Sequence, residues 1–360
     1  MKKSILVKTD MGEIQCDYFA SELIEGAERI NKSLVRMRQL LEATYPREHL
    51  SKIEYELYTY ESEEINAFSV EKDGCYVIAF STAMFLQFYK RLKNLFLVKE
   101  ICEWFETEPT EAEYCVNAVY DYMIWFVTFH EFFHVIKGHC KYLSERGLFY
   151  AEQSREQVSD DNLLFQTLES DADYSAVTAC VQFIFVQAKN SGAFDDSVDE
   201  DKRCLLIKVA EAEVIYLGFA VYHTFLLFSC AQKEKMTDCV NTMLRYDHPY
   251  ASIRMAYSVM AITYQLGYLL KMDEIVILLR KIDEICIAYD RIYYAEESFA
   301  KSLVSLAFTE KGVQHIMLLH NGWNNLVEEL RKHAYINLER KEELDKLNHW
   351  VNDDGTMMKV

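Results

Sequence analysis

The chain has few of the residues that interrupt helices, with three prolines and eleven glycines in 360 residues. It also lacks a surplus of positive charge, because 38 basic residues stand against 57 acidic ones and the formal net charge is -19. Such a chain repels phosphate groups, which argues against nucleic-acid binding. Solubility accounts for the charge, and a preference for a positively charged substrate is the alternative. Because 51% of the residues are apolar, the composition predicts a helix-rich globular protein with a sizeable core.

No pair among its ten cysteines forms C-x-x-C, so neither a cysteine zinc finger nor a dithiol redox site is indicated. Many of these cysteines have apolar neighbours, and buried reduced thiols predict a cytoplasmic protein. The apolar stretch near the N-terminus ends at Lys8 and is too short for a secretory signal. The longest apolar run, 214–230, is just short of a membrane span and is flanked by charge. It predicts a buried core helix, and a membrane helix is the alternative.

Strand patterns lie early in the chain. Residues 4–18 predict a hairpin around Asp10-Met11-Gly12. After a helical pattern at 21–43, three β-rich runs follow at 53–58, 65–70 and 76–80, with a turn at Asp73-Gly74. From Thr82 onward the pattern is helical almost to the end, and Thr110 to Glu113 predict a capping box that opens a long helix. This order predicts an α+β fold, with a small early β-sheet packed on helices and a helical C-terminal region.

The run His130-Glu131-Phe132-Phe133-His134 spells H-E-x-x-H inside an apolar stretch. On a helix, residues four apart lie about 40° apart around the axis, so both imidazoles can bind one zinc ion. Glu131 flanks this face and can take a proton from a metal-bound water. The pattern therefore predicts the minimum machinery for metal-assisted hydrolysis of a peptide bond.

A zinc peptidase also needs a third protein ligand and one open position. Glu169 and Asp173 are four residues apart and share a helix face, so one can bind the metal while the other orients a histidine ligand. The alternative is an acidic N-terminus of a helix at 174–185, stabilised by the helix dipole. His139 would lie about 180° from His130 on a continuous helix and is predicted to be structural, unless Gly138 ends the helix first.

A further element runs from Asp247 to Arg254, with His248 and Pro249 at a predicted helix entry. His248 could donate a hydrogen bond to the oxyanion of a tetrahedral intermediate. The alternative is an exposed histidine at an ordinary helix start. Arg254 could pair with Asp173 or with Asp171.

Together these patterns resemble one family. The H-E-x-x-H-x-x-x-x-H run at 130–139, Glu169-x-x-x-Asp173 and His248-Pro249-x-x-x-x-Arg254 are similar to the motifs of the HtpX and CaaX-prenyl-protease type of gluzincin metallopeptidase. Upstream, Asn66-Ala67-Phe68 resembles that family's edge strand, along which an extended substrate can add to the sheet. The resemblance covers about residues 53–258.

The resemblance implies a zincin-type catalytic domain that holds one Zn²⁺ ion. The implied zinc ligands are His130, His134 and Glu169, and the implied base is Glu131. Asp173 and Arg254 are implied to support the ligands, and His248 to stabilise the oxyanion or to plug the open zinc position. The implied substrate-binding edge strand consists of Asn66, Ala67 and Phe68. Three regions are expected: an N-terminal hairpin and helix at 1–52, a metallopeptidase domain at 53–258 and a helical region at 259–360. Membrane members have flanking transmembrane helices that this chain lacks, and residues 140–168 are an insertion, a lid or docking loop or else a solvated loop. Members with a soluble catalytic domain are therefore the better comparison, and Lit-like phage-exclusion peptidases are a second one, by analogy of fold alone.

The predicted function is a cytoplasmic zinc-dependent endopeptidase that acts on a protein or peptide substrate through Glu-assisted attack of zinc-bound water. The first alternative is a regulated or latent zinc-site module whose C-terminal helices bind a regulatory partner protein. The second is a membrane-attached processing protease that uses the 214–230 helix.

Overall fold

A computed structural model describes residues 4–9, 12–44, 53–148, 161–195, 197–229, 239–268, 270–294 and 303–341. Its strands form one sheet in the order β1-β2-β3-β5-β4. Their bounds are β1 (Ser4–Thr9), β2 (Gly12–Asp17), β3 (Tyr55–Tyr60), β4 (Ala67–Lys72) and β5 (Cys75–Ser81). β3 and β5 are parallel, and the other neighbours are antiparallel.

The predicted turns have different outcomes. Asp73 and Gly74 both have positive φ, 52° and 80°, as a tight two-residue hairpin turn requires. That prediction is confirmed, and it sets the register in which Ala67 faces Phe80. The tip of the first hairpin, at Asp10 and Met11, lies outside the described residues. β2 joins β3 through Asp17 and Thr59, so the sheet includes strands from before and after position 52, and the three-region division stays a prediction.

The rest of the described chain is mainly helical, which confirms the α+β fold with a helical C-terminal region. The α-helices are α1 (Ala27–Thr44), α2 (Thr82–Leu95), α3 (Lys99–Trp104), α4 (Glu113–Ile136), α5 (His139–Ser144), α6 (Asn162–Asn190), α7 (Glu200–Phe228), α8 (Val240–Met243), α9 (Ala251–Leu266), α10 (Met272–Tyr294) and α11 (Glu310–Leu330). A 3-10 helix spans Leu303–Phe308.

Helix α4 is the centre of the helical layer. It is apolar on all sides from Phe126 to Ile136 apart from the residues of the site and Thr128, and these residues are buried, as expected for a helix surrounded by other elements. Its rings contact the sheet and two helices. Phe132 lies 5.2 Å from the Tyr55 ring of β3, Trp125 lies 5.1 Å from Phe183 of α6, and Phe126 lies 5.3 Å from Phe225 of α7.

Two predicted helix starts are wrong. The residue that caps α4 is Ala112, and no side chain bonds to the cap, so Thr110 and Glu113 do not form a capping box. Helix α6 begins at Asn162, several residues earlier than the apolar pattern indicated. Glu169 and Asp173 therefore lie inside a helix, and an acidic helix N-terminus does not explain them.

The long apolar run belongs to α7, and nearly all its residues from Val214 to Phe228 are buried against the core, as predicted for a core helix. Among the described residues, no helix combines the length and the apolar character needed to cross a bilayer. Helix α11 packs closely on α6, because a Cβ on Gly322 would lie 2.5 Å from the hydroxyl of Thr167. The C-terminal helices thus border the helix that carries Glu169.

Candidate metal centre

Three side chains from two helices converge inside the helical layer. His130 and His134 lie one turn apart on α4, and Glu169 projects from α6. The two Nε2 atoms are 2.9 Å apart, and they lie 3.3 Å (His130) and 3.2 Å (His134) from the Glu169 carboxylate oxygens. All three side chains are buried. The residues predicted as ligands therefore form one group that can hold a metal ion.

The spacing and chemistry of these donors fit a small divalent ion. In a tetrahedral site with metal–ligand distances near 2.1 Å, neighbouring donor atoms lie about 3.4 Å apart. The observed separations of 2.9 to 3.3 Å are slightly shorter, so a small outward movement accommodates an ion. Burial opposes ionisation of Glu169, but His248, His130 and His134 hold the pKa of its carboxyl well below the usual range. Two imidazoles and a carboxylate suit zinc and several other transition metals.

Asp173 supports the first histidine ligand. Its Oδ1 lies 2.9 Å from Nδ1 of His130, so its charge favours the tautomer that carries the proton on Nδ1 and leaves Nε2 directed at the metal position. Arg254 donates from Nε to Oδ2 and from Nη2 to Oδ1 of Asp173, both at 2.8 Å. The structure thus pairs Arg254 with Asp173, the first of its two predicted partners. This bidentate ion pair is almost fully buried.

His248 lies beside the three donors. Its Nε2 is 3.3 Å from Oε2 of Glu169, and its Nδ1 is 2.9 Å from Oδ1 of Asp247. The side chain is 1% exposed, so the alternative of a solvent-exposed histidine is wrong. Helix α9 begins only at Ala251, which puts His248 and Pro249 in the segment before the helix.

Glu131 is buried at 2% exposure, and its charge reaches two groups near the sheet. Burial raises the pKa of the Cys140 thiol to about 12, and the negative charge of Glu131 contributes to this shift. Burial also raises the pKa of Tyr60 at the end of β3, again with a contribution from Glu131. The charge of the predicted base therefore acts on groups in α5 and β3.

β4 lies at one edge of the described sheet, which is where the predicted substrate strand was expected. Asn66 immediately precedes it, and Asn66, Ala67 and Phe68 are at most 1% exposed. Only about 10 Å³ of space remains between Phe68, Cys140 of α5 and Thr9 of β1, room for one water molecule. A larger groove of about 320 Å³ lies between Leu6–Lys8 and Val70–Lys72. The open part of this edge is therefore its C-terminal half.

His139 is not where helix periodicity put it. Gly138 has φ 80° and ends α4, and His139 begins a new helix, α5. Its Nδ1 lies 3.0 Å from Nδ1 of His134. The continuous helix on which the predicted position of His139 depends is therefore wrong; His139 contacts His134 and is not among the three grouped donors.

Behind His139 lies a further buried carboxylate, Asp171, which the sequence indicated only as the alternative partner of Arg254. Asp171 accepts from Nζ of Lys137 at 2.6 Å, and Nζ of Lys341 lies 3.5 Å from its other oxygen. Burial raises the pKa of Asp171, but Lys137, Lys341 and His139 outweigh it and hold this pKa below the usual value. The only sequence signal for Asp171 was its place between Glu169 and Asp173 in the acidic segment.

All predicted site residues are at most 2% exposed. In this conformation the side chains of the candidate metal centre are buried, and a peptide reaches Glu131 only after a movement exposes them.

No protein-family model, curated protein or solved structure matches this chain. The resemblance to gluzincin peptidases therefore stays a prediction from the sequence motifs.

Proposed function

We propose that this protein is a zinc-dependent endopeptidase of the gluzincin type that hydrolyses a protein or peptide substrate. The observation that carries the proposal is the convergence of His130, His134 and Glu169, at 2.9 to 3.3 Å, with Glu131 between the two histidines on the same helix. Buried polar groups of this kind are costly for folding, and functional sites are where such arrangements concentrate. Cytoplasmic location and zinc as the metal belong to the same proposal.

The residues have separate roles in this reaction. His130, His134 and Glu169 would hold the zinc ion, which would supply the Lewis acidity to polarise a carbonyl group and acidify a water molecule. Glu131 receives the proton of the attacking water and returns it to the leaving amine. Asp173 and Arg254 keep His130 oriented, and His248 donates a hydrogen bond to the oxygen of the scissile carbonyl. The substrate lies beside β4, where the groove next to Val70–Lys72 provides space.

The enclosure of the centre favours a second candidate, a latent form of the same site. Because His130, Glu131, His134 and His248 are at most 2% exposed, hydrolysis requires an opening step. A partner protein that binds the C-terminal helices would supply that step. In this version, activity depends on the partner, and the isolated protein binds metal without cleaving peptides.

The test compares proteomes exposed to the wild-type protein and to Glu131→Gln, with new protein termini as the readout. The variant keeps all three ligands, so its metal content should match the wild type while cleavage falls by about 10²- to 10⁴-fold, the usual contribution of a general base. Glu113→Gln, an exposed glutamate at the start of the same helix, is the matched control and should cleave normally. Termini that appear equally with Glu131→Gln, or none with the wild type inside cells, would contradict the peptidase proposal.

A further inference from the structure

The last described segment of the chain folds back onto the metal centre. Residues 331–341, here called the C-terminal strap, follow α11 and pass over the end of α4. The Tyr335 backbone N–H donates to the carbonyl of Ile136 at 2.8 Å, which satisfies a carbonyl that the end of α4 leaves free. A Cβ on Gly138 would lie 2.6 Å from the carbonyl carbon of His333. Strap and helix end are therefore in direct backbone contact.

Lys341 is fixed in this strap by several bonds. Asn324 of α11 accepts from the Lys341 N–H at 2.9 Å and donates to its carbonyl at 3.1 Å. Trp323 donates to the carbonyl of Glu339, and Arg331 donates twice to the carbonyl of Leu338. These bonds hold the backbone at the point where the Lys341 side chain turns inward.

The inward side chain meets Asp171. Lys341 Nζ lies 3.5 Å from Oδ1 of Asp171, while Lys137 Nζ lies 2.6 Å from Oδ2. The ring of Trp323 is 5.1 Å from the first ammonium group and 5.3 Å from the second, close enough for a cation–π interaction with each. One buried carboxylate is thus held by two lysines that share an aromatic neighbour.

Asp171 in turn faces His139. Nε2 of His139 lies 3.7 Å from Oδ2 of Asp171. This is longer than a hydrogen bond, but the negative charge favours the tautomer that carries its proton on Nε2. Nδ1 of His139 is then an acceptor, and at 3.0 Å it takes the proton of His134 Nδ1. His134 is left with a free electron pair on Nε2, the atom that points at His130 and Glu169.

From this geometry we propose that His139, Asp171 and Lys341 are positioning residues of the metal centre, and that the C-terminal strap is part of it. They act through His134: they fix its tautomer and ring orientation, as a carboxylate does directly for His130. The inference rests on the proposed metal site. It extends that site to a segment far along the chain and makes metal affinity sensitive to the strap.

The experiment uses the full chain and Co²⁺ as the probe, with chelator competition for affinity and the visible absorption spectrum for ligand geometry. His139→Leu removes the acceptor, and Lys341→Met removes one partner of Asp171 while Lys137 remains, so the fold should be retained. We expect Co²⁺ binding to weaken by about 10- to 100-fold in His139→Leu and by about tenfold in Lys341→Met, each with a shifted spectrum. His139→Asn keeps an acceptor near the Nδ1 position and Lys341→Arg keeps the charge, so both should restore wild-type values.

The matched control is Lys332→Met, which removes an exposed lysine of the same strap that pairs with Glu329, and it should leave Co²⁺ affinity unchanged. Thermal unfolding of each variant separates loss of fold from loss of positioning. The inference is overturned if the wild type binds one Co²⁺ and folded His139→Leu and Lys341→Met bind it with the same affinity and spectrum. A wild-type protein that binds no Co²⁺ would remove the metal site itself, which is a distinguishable failure.

Discussion

The two histidine ligands of the candidate centre are supported in different ways. His130 touches a carboxylate directly, and that carboxylate, Asp173, is held by a bidentate arginine. His134 touches a second histidine, His139, behind which lie Asp171 and two lysines. The first support is short and comes from the interiors of α4, α6 and α9. The second is longer and depends on a helix end and the C-terminal strap.

This difference indicates that the two sides of the centre affect different properties, stability on one side and metal affinity on the other. Breaking a buried ion pair leaves an uncompensated charge and destabilises the fold, so the His130 side should govern stability. On the His134 side, Asp171 keeps one lysine when the other is lost, so a change there should alter metal affinity more than folding.

Arg254→Met should lower the free energy of unfolding by about 3–5 kcal/mol, because Asp173 is left buried without its cation. Lys341→Met should cost about 1 kcal/mol, since Lys137 still lies 2.6 Å from Asp171. Urea unfolding of the metal-free proteins measures both, with Lys332→Met, an exposed pair with Glu329, as the control near zero. Equal losses in Arg254→Met and Lys341→Met would end the distinction between the two sides.

Gly138→Ala tests the helix end on the His134 side. Gly138 has φ 80°, and a Cβ built on it would lie 2.6 Å from the carbonyl carbon of His333, so both strain and overlap oppose a side chain there. We expect a loss of about 3 kcal/mol in unfolding free energy. Gly147→Ala is the matched control, because Gly147 also has positive φ, 69°, but no atom within 4 Å of its Cβ position. It should lose only about 1 kcal/mol, and equal losses would show that the strap contact adds nothing.

Low pH tests a buried hydrogen bond, between His315 and Gln166, that supports neither histidine ligand directly. Gln166 of α6 donates to the carbonyls of Met243 and Tyr246, so its oxygen accepts from Nε2 of His315 at 2.7 Å. Burial lowers the pKa of His315 to about 4, whereas an unfolded histidine titrates near 6.5. Between pH 4 and 6.5 the unfolded state therefore binds more protons than the folded state. The stability that unprotonated His315 contributes is complete above pH 6.5 and is lost as the pH falls towards 4.

At pH 5 the expected loss from His315 is about 2 kcal/mol. His315→Gln keeps a donor near Nε2 and cannot take up a proton, so it isolates this contribution. The difference in unfolding free energy between wild type and His315→Gln should change by about that amount between pH 7.5 and pH 5. A difference that is independent of pH would contradict the assignment.

The His130 side was also the side that the sequence could predict. His130 and His134, and Glu169 and Asp173, are pairs four apart on helices, and helix periodicity alone gives them a common face. The helix-entry pattern at Asp247 to Arg254 indicated His248 and Arg254, which lie beside Glu169 and Asp173 in the structure. The early strands were predictable because of their β-rich runs and the Asp73-Gly74 turn.

The His134 side was not predictable, for physical reasons that differ from residue to residue. Helix periodicity puts His139 on the far side of the helix only if the helix is continuous. The left-handed φ of Gly138 ends that helix before His139. Lys341 lies in a polar stretch whose position depends on side-chain bonds to Asn324 and Trp323, which no periodicity reveals. The apolar pattern missed the first turns of helix α6 because Gln166 and Thr167, which lie there, are buried although they are polar.

The central claim is that His130, His134 and Glu169 hold one zinc ion. The most direct measurement is anomalous diffraction above and below the zinc absorption edge, from crystals of the full chain grown with equimolar zinc. We expect a single anomalous peak about 2.1 Å from Nε2 of both histidines and beside the Glu169 carboxylate. Zinc peaks confined to surface residues, with none between these three side chains, would contradict it.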